Sequence, residues 1–397
     1  MKIARRFADL PSSPTVAIAG RAAELRRQGH DVVSFAAGEP DFDTPTHVVD
    51  AMVAAARRGA TRYPPLLGLP ELRAAVARHA IQRYRVPVAP EDVVVTPGAK
   101  LALWATFQLL VDPGDEVIVP TPCWVSYAPQ IALAGGVMVG VPTLPESGFR
   151  LEAAAIRRAI TPRTVGLVLN LPNNPTGALA ARNELAAIGD LALEHDLWIL
   201  SDDIYAELRY EPGEFPSPLL DRPELLERMV VVDGPSKSHA MTGWRIGYAV
   251  APRSLVPRFG ALLGQTVTGV TTFAQHGALA ALENDSDFLA GWIARYRSRR
   301  DLVVARTAAM GLPCVRAEGA FYALLDVRSV LGEGPGRPFD DVALARQLLE
   351  TRHLAVVPGS AFEAPGFVRL SFACSEDELA RGLERLADLV GMLRAAR

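Results

Sequence analysis

Between about residues 50 and 265, short runs rich in β-branched and aliphatic residues alternate with longer stretches whose apolar positions recur at helical spacing. The short runs predict strands at Val93–Thr96, Glu116–Val119, Val137–Pro142, Val165–Asn170, Trp198–Ser201, Val230–Asp233 and Gly247–Val250. The longer stretches predict helices that include Ala99–Leu110, Ala180–His195 and Pro252–Leu262. Strands separated by helices can pair in parallel, because each crossover returns the chain over the sheet. The pattern therefore predicts an α/β domain, with a mixed, mostly parallel sheet flanked by helices. Beyond it, Phe288–Ala309 has helical spacing with arginines on its polar face. Gly319–Val327 and Phe367–Ala373 read as strands, and Glu376–Arg397 as an amphipathic closing helix. The Pro/Gly-rich stretch Gly332–Pro338 reads as a surface loop. The chain then divides into an N-terminal arm with part of a small domain (1–45), a large domain (46–285) and the rest of the small α+β domain (286–397). No internal repeat or low-complexity linker interrupts it.

The 397 residues are 49% apolar and 21% charged, with a formal net charge of -3. That length allows two or three ordinary domains with a large buried core. The charge balance gives no electrostatic case for nucleic acid or an anionic membrane. No run reaches the roughly 18 uncharged apolar residues of a membrane span. The basic residues near Met1 are followed by no long apolar run, and Pro11 and Pro14 break the segment, so no signal peptide is expected. Cys123, Cys314 and Cys374 are too few and too scattered for a disulfide framework or a zinc site. A reducing cytoplasm is the compartment that fits.

Candidate chemistry gathers where predicted strands end, the place where open α/β sheets bind ligands. Gly98, Ala99 and Lys100 follow one strand and open a helix. Small residues and free helix N-terminal amides there can cradle a phosphate, although any strand–turn–helix uses glycine in the same way. Asn170–Gly177 concentrates Pro, Asn and Gly in a rigid turn, from which Asn174 can bond a ligand oxygen. A plain turn would look the same. Asp202 and Asp203 end another strand. Adjacent carboxylates after an apolar run are costly to bury unless one meets a cation. A protonated ring nitrogen is such a cation, and Asp202 is assigned to it; Tyr205 can donate to a ring oxygen. The plainer alternative is a helix cap with a core tyrosine.

Lys237 lies among small and hydroxylated residues, with Arg245 further along the same segment. Crowding by apolar or cationic groups strips a lysine of its proton, and a neutral amine attacks an aldehyde. A surface lysine beside a glycine turn is the bland counterpart. Arg245 and Arg369 sit in ordered apolar contexts and require anions. A cofactor phosphate and a substrate carboxylate would serve, as would internal carboxylates. Trp124 can stack on a planar ring or simply pack. His239 reads as packing.

In this order the pieces resemble the class I aminotransferases of fold type I, which hold pyridoxal 5′-phosphate as a Schiff base. The likeness covers nearly the whole chain. It runs through Gly38-Glu-Pro-Asp-Phe-Asp-Thr-Pro, Tyr63, Gly68-Leu-Pro-Glu-Leu-Arg and Asp112-Pro-Gly-Asp-Glu-Val-Ile-Val, then the stretches above. It closes with Gly319-Ala-Phe-Tyr, Pro358-Gly and Arg369-Leu-Ser-Phe-Ala. It is greatest to bacterial aspartate aminotransferases of the branch that includes prephenate-active members. The resemblance implies that Lys237 forms the Schiff base and shuttles the proton, and that Asp202 pairs with the pyridine nitrogen. It implies that Asn174 and Tyr205 bond the ring oxygen, that Gly98, Ala99, Lys100 and Arg245 hold the phosphate, and that Trp124 stacks on the ring. Gly38, Asn174 and Arg369 would bind the substrate carboxylate. Tyr63 would reach the phosphate of a second subunit, which implies a homodimer with shared sites. The implied reaction is ping-pong transfer of an amino group from an L-amino acid to a 2-oxo acid, with aspartate or glutamate and 2-oxoglutarate as the leading pair.

Two departures bear on this. Many relatives carry a phosphate-binding serine three residues before the lysine; here that position is Gly234, followed by Pro235, and Ser236 need not replace it. The better-known aspartate enzymes take an arginine from the partner subunit to the distal carboxylate, whereas residues 264–273 contain no basic side chain. Thr15 and Lys100 match the donors used in the bacterial branch. Two rivals stand beside the main reading. One keeps the fold but runs lyase or oxidase chemistry, or acts on basic or aromatic amino acids in a specialised pathway. The other is the cofactor-bound sensor of a DNA-binding regulator, for which only a short arm precedes Gly38.

Overall fold

The structure, a computed structural model, describes residues 1–4, 7, 14–284, 287–333 and 336–395. Pro11, the middle of the Gly332–Pro338 loop and the last two residues of the expected closing helix lie outside these. The seven apolar runs form one sheet: β1 (Val93–Thr96), β2 (Glu116–Thr121), β3 (Val137–Pro142), β4 (Thr164–Asn170), β5 (Trp198–Asp202), β6 (Met229–Asp233) and β7 (Gly247–Val250). Their spatial order is β1-β7-β6-β5-β4-β2-β3. β7 runs antiparallel to both its neighbours, and the remaining pairs are parallel.

Successive strand residues enter different layers. Val93, Val95, Leu167 and Leu169 join one apolar cluster, while Val94, Val117, Val119 and Val168 join another. Both faces are therefore covered, which is why the strands read as unbroken apolar runs. The helices Thr46–Arg57, Pro70–Tyr84, Arg182–Glu194 and Thr272–Glu283 contribute to the first layer. Ala99–Leu110, Tyr127–Ala134 and Val256–Thr266 contribute to the second. The edge strand β3 is the exposed one, with Val137 open to solvent.

The helix expected at Pro252–Leu262 instead spans Val256–Thr266. Pro257 explains the shift: with no N–H to donate, it is tolerated in a first turn but not mid-helix. The run Gly319–Val327 narrows to a strand at Tyr322–Asp326, and Phe367–Ala373 to Phe367–Ser371. These two form a three-stranded antiparallel sheet with Val357–Pro358. The helices Asp287–Ala309, Asp341–Arg352 and Glu376–Ala395 pack with it in a separate apolar cluster. Phe35 joins that cluster, and Val33–Ser34 pairs in parallel with Leu354–Ala355, so the early chain is stitched to its far end. No helix among the described residues is long and apolar enough to cross a membrane.

The topology places one edge of the large sheet over a single region. β2, β4, β5 and β6 all end there, β1 ends there at Thr96, and β7 begins there, Gly247 being paired with Thr96. The β4–β5 register sets Asn170 beside Asp202. A Cβ on Gly247 would run into the backbone of Gly98 and Ala99. Gly247→Ala should therefore cost about 1–3 kcal/mol of stability by overpacking and push the Gly98 turn outward. Chemical denaturation checks the first effect; amide exchange at residues 97–101 checks the second.

Candidate active site

Loops leaving this sheet edge enclose a cavity of about 270 Å³. Lys100, Lys237, Arg245 and Arg369 line it against one carboxylate, Asp202, among the described residues. The excess of positive charge makes it a site for anions.

Lys237 stands on a short helix, Pro235–Ser238, that directly follows β6; the ring of Pro235 presets the first turn. Its Nζ donates to the Gly38 carbonyl at 2.6 Å. Burial pulls the amine's proton affinity down to about 8, with Arg245 and Arg369 adding to the effect and Glu39 and Asp202 opposing it. Such a lysine is neutral far more often near neutral pH than an ordinary one and is the better nucleophile for it.

The two adjacent carboxylates at the end of β5 have different surroundings. Asp203 accepts from the Ser201 hydroxyl at 2.6 Å on Oδ1 and from the Tyr84 hydroxyl at 2.6 Å on Oδ2. Asp202 accepts from the Tyr127 hydroxyl on Oδ2 at 2.7 Å, while its Oδ1 is buried without a partner. Burial pushes the Asp202 carboxyl up to about 7, the bond from Tyr127 opposing and the Asp203 charge adding to the rise. Asn170 ties this corner together: its Nδ2 donates to the Asp202 carbonyl at 2.8 Å, and its Oδ1 accepts the Asn174 amide at 2.8 Å.

Arg369, on the strand Phe367–Ser371, is fully buried with no carboxylate in salt-bridge reach among the described residues. Its Nη1 donates to Asn174 Oδ1 and its Nη2 to the Ala36 carbonyl, both at 3.1 Å, and Nε has no partner. Its charge lies 4.4 Å from the Tyr322 ring centre and 4.7 Å from that of Phe362. The Tyr205 and Tyr322 hydroxyls bond each other at 2.8 Å. Arg245 adopts a left-handed backbone (φ 57°) and donates to the Thr242 carbonyl at 2.9 Å. Gly98, at φ 83°, lets this guanidinium approach, since a Cβ there would meet Nη2 at 2.5 Å. Lys100 Nζ sits 4.8 Å from the Trp124 ring centre, and burial, then Arg245, lowers its proton affinity.

Residues 38–44 bracket this arrangement. The Thr242 hydroxyl donates to Glu39 at 2.9 Å, and the Thr44 hydroxyl donates to the Ala240 carbonyl at 2.7 Å. On the other side Asp41 pairs with Arg299 at 2.9 Å, and Phe42 stacks on Trp292 with ring centres 4.4 Å apart. The bracket thus ties the lysine loop to the helix Asp287–Ala309.

Of the expected site positions, Thr15, Gly38, Ala99, Lys100, Trp124, Asn174, Asp202, Tyr205, Lys237, Arg245 and Arg369 all line the cavity. Gly98 backs it rather than lining it. Tyr63 is 88% exposed and outside it. His239 packs as read, buried against the edge of Phe288 and bonded through Nδ1 to Ser238. Among the polar residues not singled out, Asn170, Ser236 and Tyr322 line the cavity, and Tyr127 stands behind it in contact with Asp202. Each lay inside or beside a quoted motif, but only proximity in space reveals its part. A Cβ at Gly234 would stand 2.9 Å from the Ile246 carbonyl oxygen, so β7 passes too close for a serine there. Ser236, rather than position 234, faces the cavity.

Comparison with known proteins matches residues 30–386 to the family described as aminotransferase class I and II. The aspartate/prephenate aminotransferase of Thermus thermophilus is 47% identical over 392 residues, 98% of this chain and 99% of the relative. The aspartate aminotransferase of Geobacillus stearothermophilus is 40% identical over 387 residues, 97% and 98% of the two chains. Among solved structures, aspartate aminotransferase from Thermus thermophilus with maleate superimposes with a TM-score of 0.91 at 46% identity, covering 98% of this chain and 100% of the other. The aspartate aminotransferase from Rhizobium meliloti gives 0.94 at 39% identity, covering 98% and 99%. With the fold, the cavity and the sequence in agreement, the chain belongs to the class I and II aminotransferase family and is an enzyme of that class.

Proposed function

We propose that the chain transfers an amino group from an L-amino acid to a 2-oxo acid in two half-reactions, using pyridoxal 5′-phosphate held by Lys237. The observation that carries this reading is the pairing, in one cavity, of a lysine drawn toward its neutral form with a buried carboxylate whose second oxygen is bare. The donor set fits the cofactor. Asp202 Oδ1 suits a ring N–H, and the amides of Ala99 and Lys100 at a helix N-terminus, with Arg245 and Ser236, suit a phosphate. Tyr205 and Asn174 suit a ring oxygen, and Trp124 offers a face for stacking. When bound, the cofactor supplies an aldehyde for the substrate amine and a protonated ring that draws electron density from the bond being broken.

The chain's own residues do the rest. Lys237 lies in charge interaction with Arg369 and Asp202, and its amine would carry a proton to and from the substrate's α-carbon. Arg369 and the Gly38 backbone receive the α-carboxylate, and Arg369 has a fork of donors that no acid among the described residues saturates. Asp202 keeps the ring nitrogen protonated. Thr15 and Lys100, both at the cavity wall, are the donors available to a distal carboxylate. This favours acidic substrates, aspartate or glutamate with 2-oxoglutarate, in line with the names of the relatives. Exposed Tyr63 supports a homodimer in which it completes the partner's phosphate site. The relatives' names favour neither the regulator reading nor a lyase or oxidase. A cytoplasmic site of action accompanies this proposal.

The cofactor-loaded chain, given single amino acids without oxo acid, should lose its visible absorbance band fastest with aspartate or glutamate and release no ammonia. Oxo acid and ammonia accumulating from one amino acid alone would favour elimination or oxidation instead. Lys237→Ala should abolish turnover in steady-state assays, and normal rates in that variant would rule the mechanism out. Arg369→Ala should weaken every amino acid alike, by about 1.5–3 kcal/mol; a loss confined to one substrate would remove Arg369 from the α-carboxylate.

The ligand-free chain also carries a pH signature. The Asp202 carboxyl titrates at about 7 in the folded chain against 3.8 in the unfolded one. The folded chain thus holds a proton that the unfolded chain gives up, and Asp202 costs stability progressively as pH rises between those values. Asp202→Asn should be more stable than the native chain at pH 8 and lose that advantage by pH 4. Urea melts of the ligand-free proteins at both pH values measure the gap.

A further inference from the structure

Two buried carboxylates leave the same strand end, and the protein treats them differently. Asp203 has a hydroxyl donor on each oxygen, from Ser201 and Tyr84. Asp202, which lines the cavity, has one, from Tyr127, and its second oxygen is buried without a partner. The main chain at Asp202 is held separately, its carbonyl accepting from Asn170. What remains free to vary is the rotation and charge of the carboxyl group; the Ile204 backbone also favours its charged form, and Tyr127 is the side chain that donates to it. Tyr127 is itself fixed: it is 1% exposed, opens the helix Tyr127–Ala134, and meets Trp124 edge-on with ring centres 5.3 Å apart.

We propose that Tyr127 is a positioning residue: its hydroxyl, donated to one oxygen of Asp202, favours the charged form of that carboxyl group and turns its other oxygen toward a protonated ring nitrogen in the cavity. The inference rests on the reading of the cavity as a pyridoxal phosphate site. A phenol suits this task better than an amine or guanidinium. A cation in the same place would form a salt bridge and satisfy the charge that the ligand is meant to meet. A neutral hydroxyl has one proton to give and leaves the charge available. Burial raises the proton affinity of Tyr127 well above the ordinary phenol range, so it stays a donor at every working pH. It also opposes the burial that drives Asp202 toward its protonated form, in which the carboxyl could no longer pair with a ring N–H. The titratable groups in charge contact with Asp202 are Tyr127, Asp203, Asp233, Lys237 and Tyr205, and the substitution below leaves the last four in place.

The test is Tyr127→Phe in the full-length chain, which deletes one oxygen and keeps the ring contacts. Two probes separate the ring nitrogen from the rest of the ligand. Pyridoxamine 5′-phosphate has no aldehyde and cannot bond covalently to Lys237; its analogue with the ring nitrogen replaced by C–H is otherwise alike. Binding is measured by calorimetry on cofactor-free protein from pH 6 to 9. The expected result is a loss of about tenfold in affinity for pyridoxamine 5′-phosphate at pH 6, the equivalent of one pKa unit on Asp202. That loss should shrink toward pH 9, where the carboxylate is ionised in both proteins. The nitrogen-free analogue should bind both proteins alike. Asp202→Asn should remove the preference for the nitrogen-bearing ligand, and adding Tyr127→Phe to it should change nothing further, because the two residues act through one bond. Equal weakening of both probes would reduce Tyr127 to a structural role and overturn the proposal, as would an unchanged pyridoxamine 5′-phosphate affinity. If the native chain binds neither probe, the cofactor reading itself falls, and the inference with it.

Discussion

The ionisable groups of the cavity are removed from water before any ligand arrives, and the protein only partly replaces what they lose. Asp202 keeps the hydrogen bond from Tyr127 and one oxygen without a side-chain donor. Arg369 has an amide, a carbonyl and two aromatic faces but no acid among the described residues. Lys237 has a carbonyl. Desolvation is the largest cause of the raised proton affinity of Asp202 and of the lowered affinities of Lys237 and Arg369. Burying charge without full compensation is costly, and such deficits concentrate where a site waits for its ligand. The deficits here are complementary to a molecule with a cationic ring, an anionic tail and a carboxylate.

The fold supplies that cavity at little local expense. Parallel strands covered on both faces are apolar along their length, so their polar residues collect at the ends. Because β2, β4, β5 and β6 point the same way, those ends share one edge. Nearly apolar strands therefore deliver Asn170, Asp202 and, just beyond β6, Lys237 to one place. Arg369 arrives from the other sheet, and the two meet through Asn174. Residues 38–44 hold the halves in register, bonded to the lysine loop on one side and clamped to the helix Asp287–Ala309 by Asp41 and Phe42 on the other.

Much of this was legible in the chain because it is local. Val93–Thr96, Val137–Pro142 and Gly247–Val250 are the strands the apolar runs predict, and Ala99–Leu110 is the helix its spacing predicts. The errors were local too. A helix expected from Pro252 begins at Val256, and Pro257 is the cue that a spacing argument overlooks. Lys237, Asp202 and Arg369 stood out because their types are unusual in such settings. Tyr127, Tyr322 and Ser236 did not, since tyrosine and serine are ordinary in a core or a turn. Gly234 read as a missing ligand, and the structure gives it a packing reason: β7 leaves no room for a side chain.

The sequence by itself determined the element order, the α/β class and the residues with chemistry to offer, because apolar period, turn residues and charge are properties of short segments. Only the tertiary structure decided how those residues are charged and aimed. Asp202 and Asp203 are indistinguishable as neighbours in the chain, and they differ because Ser201 and Tyr84 saturate one while Tyr127 half-satisfies the other. Tyr84 and Tyr127 come from helices on opposite layers of the sheet. Desolvation and hydrogen bonding depend on what packs around a group, and that is set by contacts between segments far apart in the chain.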